Sequence, residues 1–114
     1  MSVTIWHNPN CTSSRTTLAL LLDRGLSPEV RLYLTDPPRA DEIIQLAGKL
    51  NLPVAGFIRK NEAIFASLGL DPAGEDQALA AAISGNPILL QRPIVVSGDR
   101  AAIGRPPETV LDIL

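Results

Sequence analysis

The stretch His7-Asn8-Pro9-Asn10-Cys11-Thr12-Ser13-Ser14-Arg15 decides how this chain is read. Upstream of it, residues 3–7 alternate and carry β-branched and aromatic side chains, which predicts a strand. Asn8-Pro9-Asn10 is a turn. Downstream, Leu18, Leu21 and Leu22 recur at helical spacing over residues 12–24, and Gly25 supplies a stop. Cys11 therefore falls where a strand hands over to a helix. A thiol there meets unpaired backbone N–H groups and the positive end of the helix dipole, both of which favour the thiolate. It is the only cysteine in the chain, so redox chemistry on it needs a thiol from another molecule. A lone cysteine also reads as a small buried hydrophobe. The polar flank of Asn10, Thr12, Ser13 and Ser14 favours a thiol that faces solvent.

Working outward, residues 30–34 read as a second strand. Asp36-Pro37-Pro38 ends it and starts a helix with Ile43, Ala47 and Leu50 on its apolar face. Strand, helix, strand at this spacing is a βαβ unit with a parallel pair, because parallel strands need a crossover. Residues 53–90 carry no strand signal. Short apolar helical pieces around Phe57, Phe65 and residues 79–83 are punctuated by Gly69, Pro72, Gly74, Gly85 and Pro87. This predicts an all-helical insertion between the second helix and the third strand. Strand character returns at Pro93-Ile94-Val95-Val96. A turn at Ser97-Gly98-Asp99 and a partner strand over 101–103 complete a hairpin. Arg105-Pro106-Pro107-Glu108, followed by Val110, Leu111 and Leu114, reads as a final helix. The order βαβα-ββα defines an α/β fold with a thioredoxin-like mixed sheet, taken as one domain over residues 1–114. In that fold a cis proline commonly begins the strand facing the helix-start cysteine, which points to Arg92-Pro93.

The bulk properties exclude several function classes. The 114 residues suffice for one core, and a net charge of −2 with interspersed signs gives no nucleic-acid footprint. One cysteine rules out a disulfide framework and suits a reducing compartment. The start is short, uncharged and strand-like, unlike a signal peptide. No apolar run approaches the roughly 20 residues that span a bilayer. The expected location is the cytoplasm, with no membrane partner. One histidine and one cysteine fall short of a zinc site, so no metal is expected. No helix shows a spare apolar stripe, which suggests a monomer.

Beside Cys11, two groups could bias the thiol: Arg15 on the first helical turn, and His7 as a nearby cation. Arg59, Arg92 and Arg105 stand at segment junctions, the last two each before a proline. Arginine binds tetrahedral oxyanions through planar, often bidentate hydrogen bonds, so converging arginines would form an anion pocket. Each alone also reads as a surface residue. Cys11-Thr12-Ser13-Ser14 is Cys-x-x-Ser, which lacks the second redox cysteine. The Cys-x-x-x-Arg spacing is too short for the phosphate loop of tyrosine phosphatases. No glycine-rich phosphate cradle is present.

These pieces together resemble the glutaredoxin-coupled arsenate reductase family of ArsC type, and its branch of shorter chains in particular. The resemblance is carried by His7-Asn8-Pro9…Cys11…Ser14-Arg15, Ile58-Arg59-Lys60-Asn61-Glu62, Arg92-Pro93-Ile94-Val95-Val96 and Ile103-Gly104-Arg105-Pro106-Pro107-Glu108, in family order. It implies a thioredoxin-like fold with a helical insertion at about 53–90. It implies that Cys11 is the nucleophile, that Arg59, Arg92 and Arg105 bind an arsenic oxyanion, and that His7 helps set the cysteine's ionisation. Ser14 and Arg15 match positions near the catalytic loop. The resemblance further implies that arsenate is reduced to arsenite with glutathione as co-substrate and glutaredoxin as partner, with no bound cofactor. The alternative is an ArsC-like thiol-redox or regulatory protein acting on another substrate or on a protein partner. The arginine set favours the enzyme.

Overall fold

The first strand, β1 (Val3–Trp6), buries Val3, Ile5 and Trp6 and has neighbours on both sides. A computed structural model describes residues 2–114; Met1, part of the strand-like start, lies outside them. The remaining strands are β2 (Glu29–Arg31), β3 (Ile94–Ser97) and β4 (Arg100–Ile103), and the sheet order is β2-β1-β3-β4. β1 and β2 are parallel, with Ile5 opposite Val30. β1 and β3 are antiparallel, with Ile5 opposite Val95, and β3 and β4 are antiparallel, with Val95 opposite Ala102. The crossover that a parallel pair requires is α1 (Thr12–Asp23).

The chain forms two compact units: residues up to Asp36 with Arg92–Leu114, and Pro37–Gln91. In the first unit, alternate residues of the sheet face α1. Val3, Ile5, Val95 and Ala102 form one core with Leu21 of α1 and Val110, and Leu18, Leu20, Leu26 and Ile113 pack at its margin. Each fully buried aliphatic side chain contributes about 1.5–3 kcal/mol relative to exposure. The hairpin between β3 and β4 closes through Gly98 and Asp99. Gly98 has φ +63°, the positive value that a two-residue turn of this hand demands at its first position.

The second unit holds α2 (Ala40–Leu50), α3 (Ala63–Ser67) and α4 (Asp76–Gly85), with 3₁₀ turns at Val54–Gly56 and Pro87–Leu89. α2 buries Ile43, Leu46 and Ala47, and α4 buries Leu79, Ala80 and Ile83, each at i, i+3/i+4 spacing. The Glu42 carboxylate accepts the Arg39 N–H at 3.0 Å, which caps the start of α2; an arginine side chain has no acceptor to return the bond. Asn51 ends α2 in the left-handed conformation. The Asp76 carboxylate accepts the Val54 N–H at 3.0 Å and ties α4 to the preceding 3₁₀ turn.

The α/β thioredoxin-like arrangement read from the sequence is the one observed, and four details differ. β2 stops at Arg31, short of residue 34, because the Leu32 carbonyl accepts the Thr35 and Asp36 N–H groups and the Thr35 hydroxyl, turning the chain. The C-terminal helix is a 3₁₀ helix, Pro107–Ile113. Pro106 and Pro107 bring no N–H, and the first turn closes from the Thr109 N–H to the Pro106 carbonyl, an i→i+3 bond. The helical insertion contains one isolated antiparallel bridge, Ile58 with Leu90, flanked by Arg59 N–H to Leu89 C=O at 2.7 Å and Gln91 N–H to Phe57 C=O at 3.0 Å. The Arg92-Pro93 bond is cis, and Arg105-Pro106, which the sequence did not single out, is cis as well. No helix among the described residues is long and apolar enough to cross a membrane.

Candidate active site

The turn after β1 is built from its own side chains. Asn8 accepts the Asn10 N–H on its side-chain oxygen at 3.0 Å and the Cys11 N–H on its carbonyl at 3.0 Å. This delivers Cys11 to the N-cap of α1 with extended backbone angles, φ −101° and ψ 124°. The thiol is half-buried. It makes no capping hydrogen bond of ordinary length, yet the Ser14 and Ser13 N–H groups act on it.

Four groups bear on the thiol's ionisation against one opposing effect. Burial, the largest single influence, pushes the Cys11 pKa up. The Ser14 N–H, the charge of Arg92, the Ser13 N–H and a hydrogen bond from Arg105 pull it down, and together they leave it below the ordinary thiol value. Arg105 Nη1 lies 3.9 Å from Cys11 Sγ and donates to the Arg92 carbonyl at 3.2 Å. Two arginines that the sequence placed 81 and 94 residues beyond Cys11 are thus its neighbours in the electrostatic sense, Arg105 by direct contact.

His7 and Arg15 take roles different from those expected. His7 is buried, and its Nδ1 lies 2.6 Å from Ser14 Oγ. Burial first, and the Arg15 charge second, hold its pKa below the usual imidazole value, so it is neutral near pH 7. The expectation of a cation biasing the thiol is corrected: His7 is the neutral partner of Ser14. Ser14 itself is fully buried, and its Oγ also accepts the Asn8 N–H at 3.0 Å. With a neutral imidazole accepting at Nδ1, the Ser14 hydroxyl donates to His7 while accepting from Asn8. Arg15 spends its guanidinium on the loop, donating to the Pro9 carbonyl at 2.8 Å and to Thr12 Oγ1 at 3.2 Å.

Gly104 is a residue that sequence reasoning did not single out. A Cβ there would sit 2.6 Å from Thr17 Oγ1 and 2.8 Å from Pro93 Cγ. Its N–H donates to the Pro93 carbonyl at 3.0 Å. The absent side chain lets the end of β4 close on α1 and on Pro93, one residue before Arg105. Its place in Gly104-Arg105-Pro106 was the only available signal.

Arg59 belongs to the second unit. Its Nη2 pairs with Glu62 Oε1 at 2.5 Å, and its Nη1 donates to the Ile88 carbonyl at 3.2 Å. Among the described residues, no group of three or more His, Cys, Asp or Glu side chains is arranged to hold a metal ion.

The site is a thioredoxin-like sheet whose first helix starts at the chain's single cysteine, with arginine at the sulfur. The ArsC family model matches residues 6–113. An arsenate reductase of Haemophilus influenzae is 47% identical, with all of both chains covered, and one of Neisseria meningitidis serogroup A is 42% identical over 98% of this chain and 97% of its own. The solved structure of an arsenate reductase from Vibrio cholerae superposes with a TM-score of 0.95 at 46% identity, covering 100% of this chain and 98% of that one. The chain belongs to the ArsC family.

Proposed function

We propose that this protein is an arsenate reductase that draws its electrons from glutathione and is recycled by glutaredoxin. The observation that carries the reading is the contact of Arg105 with Cys11 at the N-cap of α1, where the thiol pKa is lowered. The names of the relatives support it. In this reading Arg92, Arg105 and Arg59 bind the oxyanion, and Cys11 is the nucleophile. Ser14 and His7 hold the loop before Cys11, and Arg15 fastens the same loop to Pro9 and Thr12.

The Cys11 thiolate attacks arsenic, a sulfur–arsenic bond forms, and a hydroxide leaves, taking up a proton as water. Glutathione then enters. A sulfur–sulfur bond forms between it and Cys11, and the electron pair of the broken sulfur–arsenic bond stays on arsenic, which passes from As(V) to As(III). The two sulfurs supply the two electrons. A glutaredoxin thiolate then attacks the glutathione sulfur of the mixed disulfide and releases the Cys11 thiolate. The single cysteine supports this route, because each resolving thiol comes from another molecule.

The test is arsenate-dependent NADPH oxidation with glutathione, glutaredoxin and glutathione reductase, run beside Cys11→Ser. Turnover that needs both Cys11 and glutaredoxin is the expected result. Turnover without glutaredoxin would overturn the coupling. No turnover, with Cys11 still open to alkylation, would overturn the enzyme reading and favour the thiol-redox or regulatory alternative.

A further inference from the structure

Arg59 is already paired. Its Nη2 meets Glu62 Oε1 at 2.5 Å, and the two side chains are only 19% and 26% exposed. Its Nη1 donates to the Ile88 carbonyl at 3.2 Å, its N–H donates to the Leu89 carbonyl at 2.7 Å, and the Glu62 N–H donates back to the Arg59 carbonyl at 3.3 Å. The guanidinium is therefore held from two sides. Of its five N–H donors, Nε and one on each terminal nitrogen have no protein partner among the described residues. These donors remain for a tetrahedral oxyanion, and an anion bound to them shares the guanidinium with the Glu62 carboxylate.

We propose that Glu62 is the counter-charge that sets how strongly Arg59 holds an oxyanion. The proposal rests on the reading of Arg59 as an oxyanion ligand. Glu62 neutralises the arginine before any ligand arrives, and it repels the ligand afterwards. Every anion loses affinity by this device. One that only rests on the arginines, such as phosphate or sulfate, has nothing to offset the loss. Arsenate gains a bond to sulfur in the next step. Glu62 thus lowers the share of sites that inert oxyanions fill at a given concentration.

The probe is sulfate, titrated calorimetrically into the full chain at constant ionic strength held with sodium chloride. Glu62→Gln keeps the size of the side chain and an acceptor for Arg59 while removing the charge, so the fold is retained; Glu62→Ala is the second variant. Near the surface, removing one like charge should tighten sulfate binding about three-fold or more. Arg59→Ala should weaken sulfate binding, and adding Glu62→Gln to it should recover part of the loss, because the carboxylate repels the anion whether or not Arg59 is present. A merely structural Glu62 would lower the melting temperature and leave affinity unchanged or weaker, and either affinity result in Glu62→Gln overturns the proposal. If Arg59→Ala leaves sulfate affinity intact while Arg105→Ala reduces it, Arg59 is no ligand; the proposal falls with that reading, and the cause is identified.

Discussion

Replacing Gly104 with alanine tests how the site is assembled. The new Cβ would lie 2.6 Å from Thr17 Oγ1, 2.8 Å from Pro93 Cγ and 3.3 Å from Pro93 Cδ. Carbon contacts relax near 3.5–4.0 Å, so a gap of about 0.7–1 Å must open. Neither neighbour is a free end. Thr17 is fully buried, with its hydroxyl bonded to the Ser13 carbonyl at 2.8 Å, and the Pro93 ring is buried at the head of β3. Overpacking of this kind costs about 1–3 kcal/mol. Against it, alanine restricts the unfolded chain and returns about 0.4–1 kcal/mol. The net loss should be about 1–2 kcal/mol, and at about 3–6 °C per kcal/mol for a chain of this size the melting temperature should fall by roughly 5–10 °C. Arg105 is the next residue, so the same displacement should carry its guanidinium away from Cys11 and raise the thiol pKa toward its ordinary value. Differential scanning calorimetry reads the first effect, and the pH profile of iodoacetamide alkylation reads the second. Adding Thr17→Ala removes the 2.6 Å contact and should recover part of the stability, but not all, because Pro93 Cγ stays in the way. A Gly104→Ala protein with wild-type stability and an unchanged alkylation profile would refute the reasoning.

Three further outcomes are expected. Arg92→Ala and Arg105→Ala should each shift the alkylation profile of Cys11 to higher pH, since each removes an influence that lowers the thiol pKa. Ser14→Ala strips the Asn8 N–H and His7 Nδ1 of a fully buried partner, and urea unfolding should register a loss of about 1–3 kcal/mol. Because the folded His7 pKa lies below 6.5, the unfolded chain binds the extra proton first as pH falls. Stability from this group is full above 6.5 and declines as pH drops from there toward the folded value, and the urea midpoints of His7→Gln should show a shallower acid slope than wild type.

Much of the frame was legible because periodicity and turn chemistry are local. The alternation of β1, the leucine spacing of α1 and the Gly98-Asp99 turn are each written in fewer than 14 residues. The end of β2 was not, because it is set by a turn on the Leu32 carbonyl and by Arg31, which pairs with Asp36 at 3.5 Å and lies over the Trp6 ring. The spacing of Val110, Leu111 and Leu114 fits α and 3₁₀ helices alike, so the type of the last helix rests on how its prolines close the first turn. At the site, the cysteine and its N-cap position follow from the strand–turn–helix pattern. The partners of the thiol do not. Arg15 looks like the natural cation because it is near in sequence, yet its donors reach the Pro9 carbonyl and Thr12. Arg92 and Arg105 act on the thiol only because β3 pairs with β1 and β4 with β3. Gly104 could not be found at all from residue type, since its function is the space it leaves.

The neutral state of His7 follows from the charges around it. A cationic imidazole there would be buried beside the positive Arg15. Burial and that charge both oppose protonation, and its hydrogen-bond partner, Ser14 Oγ, is uncharged. In the tautomer with Nδ1 unprotonated, the neutral ring accepts the Ser14 O–H while the Ser14 oxygen accepts the Asn8 N–H. Asn8 then holds the Cys11 N–H on its carbonyl, so one chain of hydrogen bonds runs from the buried histidine to the residue that carries the thiol. The division of labour is physical. Groups that must not move, His7, Ser14 and Asn8, are neutral and buried or half-buried. Arg105, the guanidinium in contact with the sulfur, is exposed and lies 3.9 Å from it. An exposed guanidinium stays hydrated, whereas a buried imidazolium would be desolvated at all times. The thiol pKa is thereby lowered by partners that include an exposed guanidinium, on a loop whose anchors are neutral.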